Sequence, residues 1–221
     1  MALDFLSARS RSYQAKRHVV RHGDPLSPFP IITDGWAARC QILRDGSRQI
    51  FGLLLPGDMC HFNANPHAQS THDIVALSSL QVAFIEQRDW REIKLNAPDI
   101  AVAIRRYANF ESSILSAWIV SIGRRNALER TAHLICEVRF RLELINQVDG
   151  DSFAFPLTQD DLADVLGLTP VHTNRKLQDL RQAGLITLHG KRLTVHDLSR
   201  LERLAGFDRE YLLPGVRELV S

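Results

Sequence analysis

The sequence predicts an α+β chain in three parts: an antiparallel β region, one long helix, and a C-terminal helix-turn-helix with a β-wing. Three observations carry that prediction. Strand-like runs broken by turn residues occupy His18 to Glu86. The stretch from Asp99 to Gln147 holds a single glycine, Gly123, and no proline. Beyond Asp151, two short capped helices are followed by a basic hairpin.

The β region comes first. Arg39-Cys-Gln-Ile-Leu-Arg, Asp45-Gly46 and Arg48-Gln-Ile-Phe-Gly-Leu-Leu-Leu read as a hairpin, because Asp-Gly tolerates the positive φ of a tight turn. Asp24-Pro25, Asp34-Gly35 and Pro56-Gly57-Asp58 punctuate the region, and Val75 to Ile85 supplies a further apolar strand pair. Short strands at this spacing imply an antiparallel sandwich or barrel.

The long helix follows. Positions 101, 104, 108, 111, 115, 118 and 122 step alternately by three and four residues. They carry Ala101, Ile104, Ala108, Glu111, Leu115, Trp118 and Ile122, an a/d stripe with one polar interruption at Glu111. Such a stripe is either the face a helix buries on its own domain or a dimer seam. Tyr107, Phe110 and Ile114 add apolar surface beyond what one neighbour needs, which favours the seam. Asn126 then caps a second helix through Leu128, Leu134, Ile135, Val138 and Leu142.

The last region is the most specific. Thr158 with Asp161 starts a helix that buries Leu162, Val165 and Leu166, Ala163 marks a close crossing, and Gly167 takes the turn. Thr169 caps the next helix with Pro170 at its first position. Leu177 and Leu180 face inward, leaving Val171, His172, Asn174, Arg175 and Gln178 outward. Arg175 suits guanine, and Asn174 suits adenine or a phosphate. Thr158, Gln159 and Thr169 sit at helix N-termini, where phosphate oxygens are favoured. Gly184 to Val195 forms two strands around His189-Gly190-Lys191, a wing with a basic tip. Phosphate contacts are therefore expected from Thr158, Gln159, Thr169, His189 and Lys191, and base reading from Val171, His172, Asn174 and Arg175.

Charge supports this locally. The net charge of the 221 residues is only +2, yet residues 172–192 hold five Lys/Arg against the single Asp179. Hydrophobic residues at 45% and charged residues at 24% fit a soluble globular protein. Three scattered cysteines, Cys40, Cys60 and Cys136, argue against a disulfide framework. The N-terminus lacks the apolar stretch of a signal peptide, so a cytoplasmic location is expected.

LTQDDLADVLGLTPVHTNRKLQDLRQAGLI followed by HGKRLTV resembles the Crp/Fnr regulators, and the resemblance covers residues 18–195. It implies a jelly-roll-like antiparallel β-roll sensor of the cyclic-nucleotide-binding type over 1–97. A dimerisation helix over 98–125 and a winged helix-turn-helix over 126–221 would complete the chain. It further implies a homodimer on a two-fold-related operator in double-stranded DNA, with recognition helices roughly 34–36 Å apart. The dimer seam is then expected at Ile104, Ala108, Glu111, Leu115, Trp118 and Ile122.

The chain departs from the family at instructive places. Members with a well-known half-site carry glutamate where Val171 stands, so a different operator is expected. Thr173 occupies a usually apolar site, and Asn174 one often held by a small residue; Arg175 keeps the guanine-reading position. Cyclic-nucleotide binders carry Arg before Ser or Thr in the phosphate cassette, and here the pair is Ser70-Thr71. Without that cation a buried phosphate is poorly held, so gating by cyclic AMP in the usual mode is not expected. Ser70, Thr71 and His72 mark the candidate pocket for another small-molecule effector.

No cofactor is expected. The first 39 residues lack the cysteines of an iron–sulfur sensor. Cys60, His61, His67 and His72 match no zinc spacing and read, with Asn63, Asn65 and Pro66, as polar loop residues rather than a metal site. No catalytic motif occurs, so no enzyme is expected. The competing reading is a regulatory module that binds haem or a small molecule and acts through a protein partner.

Overall fold

The computed structural model describes residues 10–61 and 68–213. His67, Asn63, Asn65 and Pro66 of the polar loop lie outside the described residues. The chain divides into two compact units, Met1–Ala108 and Asn109–Ser221, with the boundary inside the long helix.

The first unit is built from two antiparallel sheets. One runs β1 (Ser10–Tyr13), β7 (Leu80–Ile85), β3 (Phe29–Asp34). The other runs β2 (His18–Val20), β6 (Asp73–Ala76), β4 (Ala37–Ile42), β5 (Arg48–Leu54). Between them lie Val20, Ile32, Ala37, Leu54, Cys60, Ile74, Leu80 and Val82. The Asp45-Gly46 hairpin forms as expected, pairing Ile42 with Arg48 and Gln41 with Gln49, and Gly46 takes a φ of 84°. The Val75 to Ile85 run differs: its two strands do not pair with each other but enter opposite sheets. Strand partners are chosen by distant residues, which a local pattern does not encode.

A short helix, α1 (Gln87–Asn96), stops at Ala97, whose φ of −137° is what a residue preceding proline adopts. Pro98 then opens α2 (Pro98–Arg124). Within the first unit, Ile104 and Tyr107 of α2 pack on Phe29, Met59, Ile85 and Trp90. The Tyr107 hydroxyl donates to Asp58 Oδ1 at 2.9 Å and accepts from the Met59 N–H at 3.2 Å.

The second unit holds the rest of α2, α3 (Ala127–Leu144), α4 (Gln159–Leu166), α5 (Pro170–Gln182) and α6 (Leu198–Ala205). A 3₁₀ turn, Arg209–Leu212, follows. Its sheet orders β10 (Ile186–His189), β11 (Arg192–Val195), β9 (Ser152–Ala154), β8 (Val148–Asp149). The Asn126 carboxamide oxygen accepts from the Leu128 and Glu129 N–H groups while Glu129 reaches back to the Asn126 N–H, a complete capping box. No helix among the described residues is long and apolar enough to cross a membrane.

Candidate nucleic-acid interface

The helix-turn-helix is fixed by local chemistry at each end. Thr158 Oγ1 accepts from the Asp161 N–H at 3.1 Å and donates to the Asp161 carboxylate at 2.6 Å. That hydroxyl proton is engaged inside the capping box, which leaves exposed Gln159 as the better-placed group at this helix N-terminus. Gly167 ends α4 with φ 61°, the left-handed conformation expected of it. Thr169 Oγ1 accepts from the His172 N–H at 3.2 Å and starts α5, with Pro170 at the first position.

α5 has two faces. Thr173, Leu177 and Leu180 are buried against α3 and α4, whereas Val171 is 83% exposed, Arg175 and Gln178 are exposed, and His172 and Asn174 are half-buried. The Thr173 hydroxyl is buried with no hydrogen-bond partner among the described residues, the consequence of placing a polar group at an apolar site. Lys176 is held to Asp179 on the flank of the helix.

The wing is a two-residue hairpin. His189 pairs with Arg192, and Gly190 and Lys191 take φ values of 55° and 62°. Positive φ at both central residues defines a type I′ turn, which matches the right-handed strand twist. His189 and Lys191 are exposed at its tip, while Leu193 and Val195 anchor the strands beneath. Arg192 Nη2 sits 3.0 Å from Asp149 Oδ2.

Two arginines missed by sequence reasoning suspend this head. Arg125, at the end of α2, donates to the carbonyls of Ala205 at 3.0 Å and Gly206 at 3.2 Å, capping the C-terminus of α6. Arg130 donates to the carbonyl of Leu166 at the C-terminus of α4 and to that of Arg125. A guanidinium at a helix C-terminus meets unpaired carbonyls and the negative end of the dipole. The signal in the sequence was an Arg-Arg-Asn-x-x-x-Arg cluster at the helix junction.

The seam prediction needs a correction. Glu111 and Trp118 are buried within their own unit, at 8% and 6% exposure, and Ile104 packs on its own β-roll. Leu115 and Ile122 of the expected seam are exposed at 40% and 45%, and with Ile119, one residue beyond Trp118 and 73% exposed, they form an exposed apolar stripe. Ala108 and Ser112 continue it at heptad spacing. α2 is apolar on two adjacent faces, so one stripe drawn through both mixes residues from each.

In the β-roll, Ser70 is buried and donates to the His72 carbonyl at 2.6 Å, so its hydroxyl is engaged by the backbone. Thr71 is exposed, with Oγ1 3.3 Å from His72 Nδ1. Sequence reasoning missed Arg39, a buried cation beside these residues. Its guanidinium donates to the carbonyls of Met59 at 2.8 Å and Cys60 at 3.2 Å. Gly52, opposite Arg39 in the ladder, gives it room: a Cβ there would meet Arg39 Nη1 at 3.4 Å. An arginine inside the apolar Ala37–Ile42 strand was the available signal. The three cysteines are buried thiols outside any disulfide, and among the described residues no cluster of three His, Cys, Asp or Glu is placed to hold a metal.

Burial, then the charges of Arg39 and His72, push the His61 imidazole down to about 4. His72 is shifted the same way, by burial first and Arg39 next. The folded β-roll therefore excludes a proton that the unfolded chain takes up below about 6.5. Stability is fully present above that value and is lost as pH falls towards 4. At pH 5 the loss from His61 should be about 2 kcal/mol. Thermal unfolding followed from pH 7 to 5 checks this, and His61→Leu should flatten the slope; an unchanged slope would refute it.

Known proteins share both halves of this architecture. The family model of the cyclic nucleotide-binding domain matches residues 10–96, and that of the Crp-like helix-turn-helix domain matches residues 129–204. The chain is 32% identical over 209 residues to the transcriptional activator protein FnrL of Cereibacter sphaeroides, covering 92% of this chain and 83% of that one. It is 31% identical over 189 residues to the nitrogen fixation regulation protein FixK of Bradyrhizobium diazoefficiens, covering 82% and 76%. The solved structure of FixK2 from Bradyrhizobium japonicum superposes with a TM-score of 0.80 at 22% identity, over 90% of this chain and 98% of that one.

Proposed function

The chain belongs to the Crp/Fnr family of transcription regulators, and we propose that it works as a cytoplasmic homodimer reading a two-fold-related operator with one α5 helix per half-site. It is a DNA-binding transcription regulator, to which we assign no catalytic role. The observation that carries the finer reading is α5 itself. Its inner face is buried through Leu177 and Leu180, while Val171 and Arg175 project from the other side beside a basic type I′ wing.

Arg175 donates to guanine, Asn174 and His172 contact neighbouring base edges, and Val171 meets a thymine methyl. Gln159, Thr169, His189 and Lys191 set the register on the phosphates, with Thr158 acting through its cap rather than its hydroxyl. Dimerisation runs along Ala108, Ser112, Leu115, Ile119 and Ile122. Cyclic AMP does not gate the protein in the usual mode, because no arginine stands at Ser70 and the nearby Arg39 is tied to the Met59 and Cys60 carbonyls. Any small-molecule effector at Ser70, Thr71 and His72 meets neutral imidazole and an engaged hydroxyl there.

Selecting bound sites from random DNA tests the reading. Inverted half-sites should emerge, and Arg175→Ala should lose about 1–3 kcal/mol and relax preference at one base pair per half-site. An Arg175→Ala protein with wild-type sequence preference would remove the assignment.

A further inference from the structure

Glu137 is fully buried on α3, and its carboxylate joins three segments of the second unit. The indole N–H of Trp118 on α2 donates to it, at 2.9 Å to Oε2 and 3.1 Å to Oε1. The Tyr211 hydroxyl from the 3₁₀ turn donates to Oε2 at 3.0 Å. Arg141, itself 4% exposed, brings Nη1 to 3.7 Å from Oε1, and its guanidinium lies 5.9 Å from the Phe110 ring centre on α2. Burial pushes the carboxyl upward, Arg141 and the two donors oppose that, and buried Glu111 adds to it.

A buried ion pair is a poor source of stability, because desolvation offsets the attraction. Its effect is on geometry. The carboxylate has its donors in one register of α2 on α3 only. Turning α2 by one residue swings Trp118 away by about 100° and leaves a buried carboxylate short of a donor. An apolar interface imposes no such penalty. α3 also packs against α5, and Arg130 ties it to the end of α4. The register of α2 on α3 therefore sets where the recognition helix lies relative to the stripe of Leu115, Ile119 and Ile122.

We propose that Glu137 is a positioning residue for DNA recognition: through Trp118 and Tyr211 it fixes the separation of the two recognition helices, and so the half-site spacing the protein accepts. This rests on the dimeric reading above.

Two measurements on the full-length protein test it, using Glu137→Leu, Glu137→Gln and Trp118→Phe, the last removing the indole N–H while keeping an aromatic ring on the helix. The first needs no DNA. A nitroxide on Ser199→Cys, an exposed position on α6, reports the distance between heads, and the native cysteines are buried away from the label. The wild-type distribution should be narrow, and those of Glu137→Leu and Trp118→Phe broad. Equal widths throughout would overturn the proposal.

The second measures affinity for the selected operator and for the same half-sites moved apart or together by one base pair. Wild type should discriminate by at least about 30-fold, and both variants by less than about 3-fold. Glu137→Gln should fall between, since a carboxamide oxygen still accepts from the indole. Variants that stay dimeric and keep wild-type spacing selectivity would likewise refute it. Failure of a dimeric wild type to bind any operator would count against the operator reading instead, and the distance measurement on that dimer would still decide the lock; a monomeric wild type would overturn the dimeric reading and the proposal with it.

Discussion

Replacing Ile119 with glutamate should convert the dimer to a monomer and lower affinity for a two-fold operator by about 10²–10⁴-fold. Ile119 is 73% exposed in the single chain, so the substitution leaves the fold of its own unit intact. In a paired seam the same position faces its symmetry mate, where two carboxylates would be brought together out of water. A monomer still reads one half-site but loses the second as an intramolecular event. Sedimentation with DNA titration separates the effects: affinity for an isolated half-site should stay within about 3-fold of wild type. A dimeric Ile119→Glu protein would show that the seam lies elsewhere on α2. Glutamate at Trp118 should behave differently, because it would bring a second carboxylate beside Glu137 and damage the head itself.

The contrast between Trp118 and Ile119 shows where sequence stops being informative. Thr158 with Asp161, Gly167, and Thr169 with Pro170 were legible because caps and turns are short-range chemistry, in which the residue that makes the bond sits three positions away. Gly46 and the Gly190-Lys191 turn were legible for the same reason. A helix with one apolar stripe would also have been readable. α2 has two, one for its own domain and one exposed, and a three-four repeat fits a blend of them. Glu111 is informative in hindsight, since an acidic residue at a supposed seam position is buried in its own unit with Glu137 close enough to feel it. Arg39, Arg125, Arg130 and Glu137 were not legible. An arginine cluster at a helix junction and an arginine within an apolar strand flag three of them, but not their roles: most of the partners are backbone carbonyls or side chains far along the chain.

Salt should weaken operator binding steeply, by about 10²-fold between 50 and 200 mM. Residues 172–192 carry five Lys/Arg, but Lys176 already sits against Asp179 and Arg192 against Asp149. Taking Arg181 and Lys191 as the cations that displace counterions, with Arg175 kept for base reading, gives about four per dimer and a log–log slope near −3.6. The acidic partners make this a lower bound on the basic character of the face, because DNA competes with Asp149 and Asp179 for their cations. A slope shallower than about −1 would mean that the surface does not track phosphates at all. Lys191→Gly is the variant that isolates the wing. The φ of 62° at Lys191 is one glycine adopts without strain, so the turn should persist while its charge is lost. The slope should then fall by about one per protomer with sequence preference unchanged. Arg175→Ala should do the reverse, altering which base pair is chosen more than the salt dependence. That opposition identifies Lys191 as a phosphate contact and Arg175 as a base reader, a distinction affinity at one salt concentration cannot draw.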